Sequence, residues 1–261
     1  MARSNHVKVV AFLSGGLDST GMIYKMIQDG YTVHIHHLIM DRWGSHKHSS
    51  EFQAAQNVVN WLRDPANTGD GPKWIERFTW SRFSFNGTGA PPDHLLYAML
   101  GACMVLPDHI PIEWENHTRA IATGRIATDE TTTGSALFNK ALKIFKAATD
   151  NNVQWLRPVN HMCKRDIIQM LPPELVQLTT SCHYPIKTDD GLKDCRNCVG
   201  CARKVEGMYQ SGKYEPLPED ITNKLNEDEQ HEFAMYKTYK YLPPWHKWID
   251  KRTTNQILGI E

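Results

Sequence analysis

The sequence predicts an α/β fold: a doubly wound, mostly parallel sheet with a small metal-binding region appended. Three observations carry that expectation. Short apolar runs of strand length alternate with amphipathic stretches of helical period, as successive βαβ units require. A glycine-rich segment, Ser14-Gly15-Gly16-Leu17-Asp18-Ser19-Thr20, stands between the first apolar run and the first helical pattern. Four of the six cysteines fall within one short stretch, Cys182, Cys195, Cys198 and Cys201.

Taken in order, residues 6–13 read as a buried strand and residues 21–28 as the helix that follows, with Met22, Ile23, Met26 and Ile27 apolar and Gly30 as its stop. Residues 31–40 read as a second strand, and residues 52–62, rich in apolar and small side chains, as a second helix. The Pro, Gly and Asn cluster at 64–73 predicts a loop, and 73–83 an aromatic strand. Residues 93–106 form a strongly apolar helical run that places Cys103 in the core. Residues 119–123 predict the next strand, ending at Gly124, and 133–149 a helix with Leu137, Ala141, Ile144 and Phe145 on one side. Residues 124–133 therefore fall at the carboxyl edge of the sheet, where open α/β sheets bind ligands near the point at which strand order reverses. From Tyr214 the composition turns charged and aromatic, with a helical pattern over 226–240. The expected organisation is a nucleotide-binding α/β domain over 1–175, a cysteine region over 176–213 and a C-terminal helical arm over 214–261. The arm packs on the core or on a partner subunit, or takes part in substrate recognition.

Composition narrows the function classes. Lys plus Arg and Asp plus Glu number 29 each, so the formal net charge is zero and no global field draws the chain to nucleic acid. A small-molecule substrate is the favoured expectation. No apolar run reaches 18 residues and no cleavable signal pattern opens the chain, which predicts a soluble, cytoplasmic protein.

The glycine-rich segment is suited to holding phosphate. Two adjacent glycines let the backbone approach an anion, Ser19 and Thr20 offer hydroxyls, and the opening helix presents unpaired N–H groups. A Walker loop would read G-x-x-x-x-G-K-[ST], but no lysine occurs between Leu13 and Thr20, and the dinucleotide pattern G-x-G-x-x-G is absent as well. The segment S-G-G-x-D-S-T resembles instead the pyrophosphatase-type loop, or PP-loop, of enzymes that cleave ATP between its α- and β-phosphates. That resemblance implies a Rossmann-like fold of the adenine nucleotide alpha hydrolase type, and adenylation with release of AMP and pyrophosphate. Leu13, Ser14, Gly15, Gly16, Leu17, Asp18, Ser19 and Thr20 are the candidate ATP-binding residues, with Asp18 placed to hold Mg²⁺. A plain helix-capping turn is the alternative reading.

The cysteines are spaced C-x12-C-x2-C-x2-C, with Gly191, Asn197 and Gly200 supplying turns. Two interlocked C-x-x-C steps plus a distant fourth thiol suit a closed, tetrahedral, structural zinc site. A redox C-x-x-C pair and an iron–sulfur cluster are the rivals. Cys163 is either an activated thiolate beside Lys164 or an inert buried thiol, the latter being favoured. His34, His36, His37, His46 and His48 invite a second metal site, but alternation along a strand splits the first three between two faces and no zinc-enzyme carboxylate pattern accompanies them.

The loop and the cysteine cluster together resemble the 7-cyano-7-deazaguanine synthase family of the queuosine and deazapurine pathway. Its motifs stand here in order as Ser14 to Thr20, Gly124 with Asp129, Pro158 with Lys164, and Ser181-Cys182 with Cys195, Cys198 and Cys201, covering about residues 6–205. The resemblance implies a ligase that forms C–N bonds, converting 7-carboxy-7-deazaguanine and ammonia to the nitrile with ATP, through an acyl-adenylate and an amide. It implies catalytic roles for Asp18, Ser19 and Lys164, substrate contacts from His46 with Glu51, and from Gly124, Arg125 and Asp129, a structural Zn²⁺ on the four cysteines, and a homodimer. Two blocks depart from the family. Asp41-Arg42-Trp43-Gly44-Ser45-His46 replaces Asp-Tyr-Gly-Gln-Arg-His, and Glu130-Thr131-Thr132-Thr133-Gly134 replaces Ser-Gly-Tyr-Pro-Asp. Both fall on the substrate side, so an enzyme that stops at the amide, or that couples a deazaguanine acid to another amine in DNA modification or antiviral defence, is the alternative. A tRNA-thiolating adenylase and a non-catalytic nucleotide-binding zinc module are more distant rivals.

Overall fold

The computed structural model describes residues 7–41, 46–69, 74–84, 93–106, 118–127, 134–189, 191–196 and 198–212. Asp129, the two departing blocks apart from Asp41, His46 and the Gly134 backbone, and the C-terminal arm with its expected helix at 226–240 lie outside these residues.

Apolar, β-branched runs form the sheet strands β1 (Val7–Phe12), β2 (Thr32–Asp41), β3 (Ile75–Ser84), β4 (Thr118–Thr123) and β5 (Gln154–Leu156). They lie in the order β3-β2-β1-β4-β5, and every pairing is parallel. Chain order therefore reverses between β1 and β4. A crevice at the carboxyl ends of these two strands is the ligand site that such a sheet provides.

Alternation along β1 sends its side chains to two cores. Val9, Ala11 and Leu13 join a core closed by α1 (Leu17–Gln28) and α2 (Lys47–Arg63), together with α6 (Lys164–Met170) and α7 (Pro173–Leu178). Val10 and Phe12 face the other way, against α4 (Asp93–Val105) and α5 (Gly134–Ala148). Helices on both faces make the sheet doubly wound, as expected. A short helix, α3 (Pro65–Thr68), sits within the predicted loop, where the Asp64 carboxylate caps it by accepting from the Ala66 N–H at 2.9 Å. After α7 come a hairpin of β6 (Ile186–Thr188) and β7 (Gly191–Lys193), then α8 (Val199–Gln210), which carry the cysteine region.

Three differences from the sequence reading have physical causes. The first helix starts at Leu17 rather than 21, because Gly16 in extended conformation serves as its N-cap and Asp18 already lies in its first turn. The second starts at Lys47, since its polar first turn needs no apolar face. Cys103, expected in the core, is exposed, because α4 buries Leu96, Ala98, Gly101, Ala102 and Val105 and turns residue 103 outward.

Candidate active site

A cavity of about 270 Å³ opens at the carboxyl ends of β1 and β4. Part of its lining is formed by the loop between β1 and α1, through Ser14, Gly16 and Leu17 to Ser19. Gly15 takes φ +84, a left-handed conformation that a side chain would strain, and a Cβ there would also run into the Glu51 carbonyl. The loop is braced from within. Ser19 Oγ accepts from the Ser14 N–H at 3.1 Å, the hydroxyls of Ser14 and Ser19 lie 2.9 Å apart, and Gly16 N–H donates to Ser14 Oγ at 3.2 Å. Ser19 is thus committed to loop geometry, and Thr20 is fully buried away from the cavity lining. Leu13 is a core residue whose carbonyl accepts from His37 Nδ1 at 2.7 Å. Crowding of the same kind recurs at Gly124, where a Cβ would strike the Ser19 backbone, so only glycine lets the chain leave β4 against the loop.

Asp18 and Lys164, 146 residues apart, meet in the cavity. The Lys164 Nζ lies 2.6 Å and 2.9 Å from the two Asp18 carboxylate oxygens. Lys164 is only 7% exposed, which excludes an ordinary solvated lysine. Next to it, Cys163 caps α6 with Asp166, and burial pushes its thiol up, which fits the inert reading.

Arg125 is 3% exposed, lines the cavity, and donates to His94 Nε2 at 3.2 Å. A guanidinium cannot accept, so His94 Nε2 must be the bare nitrogen and Nδ1 carries the proton. Burial, then the Arg125 charge, holds His94 below the usual histidine range, consistent with that neutral form. Arg125 and Arg157 both approach the Phe138 ring, at 5.0 Å and 4.8 Å. His46 stands exposed at the N-cap of α2, outside the lining, whereas Lys47 and Glu51 one turn on are part of it. Charged lining residues are the cations Lys47, Arg125, Lys164 and Arg203 against the anions Asp18 and Glu51, an excess that suits an anionic ligand. Sequence reasoning misses His94, Tyr97, Thr180 and Arg203. His94 has a signal, as a polar residue in the first turn of an otherwise apolar helix.

The cysteine region closes the far wall through Ser181, Cys182, His183 and Gly200. The four Sγ atoms of Cys182, Cys195, Cys198 and Cys201 lie within 4.8 Å of one another. Backbone N–H groups point at sulfur, among them Cys195 N to Cys182 Sγ at 3.1 Å and His183 N to Cys198 Sγ at 3.3 Å. Hydrogen bonding from Cys182 and Cys201 drives the Cys198 thiol far below its usual range, while hydrogen bonding among the same thiols pushes Cys182 and Cys201 up. So crowded a set cannot hold several thiolates without a cation, and its donors fit a soft, tetrahedral metal. The histidines of β2 do not form a second such group. His34 and His36 both bond Thr79 Oγ1, at 2.6 Å and 2.8 Å, while His37 faces the opposite side toward Leu13.

Fold, loop and cavity together define an α/β protein whose glycine loop resembles a PP-loop. Residues 4–66 match the family model described as thiamine biosynthesis protein (ThiI). The 7-cyano-7-deazaguanine synthase of Archaeoglobus fulgidus is 23% identical over 235 residues, spanning 82% of this chain and 91% of that relative. The chain is therefore similar to that synthase over most of its length while being strongly diverged from it, in agreement with the motif order. Among the described residues no helix is long and apolar enough to cross a membrane.

Proposed function

We propose that this protein activates the carboxylate of a 7-deazaguanine acid by adenylation and converts it, with ammonia, through the amide to 7-cyano-7-deazaguanine. The observation that carries the reading is the Asp18–Lys164 pair facing a lysine-free glycine loop in a cavity with excess positive charge. A carboxylate is a poor electrophile because its leaving group would be oxide. Attack of the acid oxygen on the α-phosphorus replaces that leaving group with AMP and expels pyrophosphate. Ammonia then adds to the acyl carbon, AMP departs, and a second activation at the amide oxygen allows loss of that oxygen to give the nitrile.

The chain's residues act by position and charge in this scheme. Backbone N–H groups of the loop and of the α1 N-terminus hold the pyrophosphate oxygens. Phosphate oxygens compete with Asp18 for Lys164, which steadies the charge that builds during transfer. Asp18 would hold Mg²⁺, which would supply charge neutralisation at the phosphates. Arg125, held by His94, reads the acid or the pyrophosphate, with Gly124 and Asp129 beside it in sequence. The four cysteines would hold Zn²⁺, which supplies cohesion to the cavity wall and leaves no coordination position open. The domain limits at 175 and 213, a structural arm beyond them, a homodimer and a cytoplasmic location belong to the same proposal.

The departures at 42–45 and 130–134 favour a second reading of the product, an amide or a conjugate with another amine. One experiment separates the two. Incubation with ATP, Mg²⁺, ammonia and 7-carboxy-7-deazaguanine, followed by mass analysis, should give nitrile and AMP. Amide alone would select the second reading, and ADP with inorganic phosphate would refute adenylation.

A further inference from the structure

The Gly15 carbonyl ties the loop to a distant segment, for it accepts from the Thr180 N–H at 3.0 Å. A trans peptide is planar, so fixing the Gly15 oxygen fixes the direction of the Gly16 N–H, which points oppositely toward Ser14 Oγ. Gly15 at φ +84 has no side chain to resist rotation of that peptide. Its orientation is therefore held at two points, by Ser14 Oγ within the loop and by Thr180, a residue 165 positions away in sequence, from outside it.

Thr180 is itself clamped by the cysteine region. Its hydroxyl donates to Asp194 Oδ1 at 2.7 Å, next in sequence to Cys195, and accepts from the Cys182 N–H at 3.3 Å. The preceding carbonyl, of Thr179, accepts from the Nζ of Lys204 on α8, a lysine only 8% exposed. The following carbonyl, of Ser181, lies so close to Gly200 that any Cβ there would collide with it. Three successive residues are thus gripped by segments that carry three of the four thiols.

We propose that Thr180 is a positioning residue for nucleotide binding, through which the cysteine cluster sets the Gly15–Gly16 peptide and hence the grip of the loop on ATP. Metal occupancy of the cluster then controls nucleotide affinity without any metal contact to the nucleotide. The inference needs only a loop that binds ATP and is independent of which acid is activated.

The test uses the full chain. Thr180→Val keeps the backbone N–H and the shape but removes the hydroxyl, and Thr180→Ser restores it. Binding of a non-hydrolysable ATP analogue by calorimetry is measured beside metal content and thermal unfolding. Thr180→Val is expected to keep its metal and bind about tenfold more weakly, about 1.4 kcal/mol, while Thr180→Ser stays within about twofold of the parent. Removing the metal from the parent with a chelator should reproduce the loss. Equal affinity in Thr180→Val at full metal content overturns the proposal, as does a Thr180→Ser variant as weak as the valine. Should the valine variant lose metal or fail to fold, Lys204→Met decides, since it releases the Thr179 carbonyl while altering neither a thiol nor a residue of the cavity lining. Weakened binding at full metal content supports the proposal, and unchanged binding refutes it.

Discussion

The glycine loop and the cysteine cluster face each other across one cavity, yet opposite means hold them. The loop is contiguous in sequence and is braced largely from within, by two glycines and two serine hydroxyls at a strand-to-helix junction, with the Thr180 N–H on the Gly15 carbonyl as a tie from outside. The cluster gathers thiols from both sides of a hairpin, and their crowding is a liability until a cation offsets it. One half of the site is braced mainly from within, and the other, conditional on what binds it, reaches the first through Thr180.

The largest expected effect comes from disrupting the conditional half. Cys198→Ser should abolish metal binding and lower the unfolding temperature by about 10 °C, the scale of a loss of several kcal/mol in a protein of this size. Metal analysis and calorimetry check it, and unchanged values for both would refute a structural metal. Acid probes the sheet side, which needs no metal. Burial lowers His34 and His36 from 6.5 to about 4. The unfolded chain therefore binds protons at these residues below pH 6.5 while the folded protein does not until about pH 4. Stability is flat above pH 6.5 and falls between 6.5 and 4, by up to about 1.4 kcal/mol per pH unit for each histidine. Denaturant melts on metal-free protein isolate this effect from metal release, and a pH-independent midpoint over that range would contradict it. Lys164→Met, between the two halves, should lower kcat about 100-fold, about 2.7 kcal/mol, with little change in unfolding temperature. A variant of unchanged kcat would remove Lys164 from the reacting charge.

The two halves are also unequally legible. The loop can be read because its function follows from residue order at a junction that apolar periodicity already locates. The thiols can be read because ligand spacing carries their chemistry. What joins them cannot. Lys164 finds Asp18 only because the strand order brings α6 beside α1, and no local pattern encodes that. Thr180 escapes for a related reason, since it acts on the loop through its backbone N–H. Helix starts slip where glycine capping and a polar first turn replace apolar spacing, at Leu17 and Lys47. Of the pair His46 and Glu51, both expected at the pocket by resemblance, the helix that begins after His46 brings only Glu51 into the cavity lining.

The proposed chemistry rests on cleavage of ATP between its α- and β-phosphates, and pyrophosphate exchange is the decisive measurement. Labelled pyrophosphate, ATP, Mg²⁺ and 7-carboxy-7-deazaguanine are incubated with the protein in the absence of ammonia. Label is predicted to enter ATP only when the acid is present. Acid-dependent formation of ADP, with no label in ATP, would contradict cleavage at that bond.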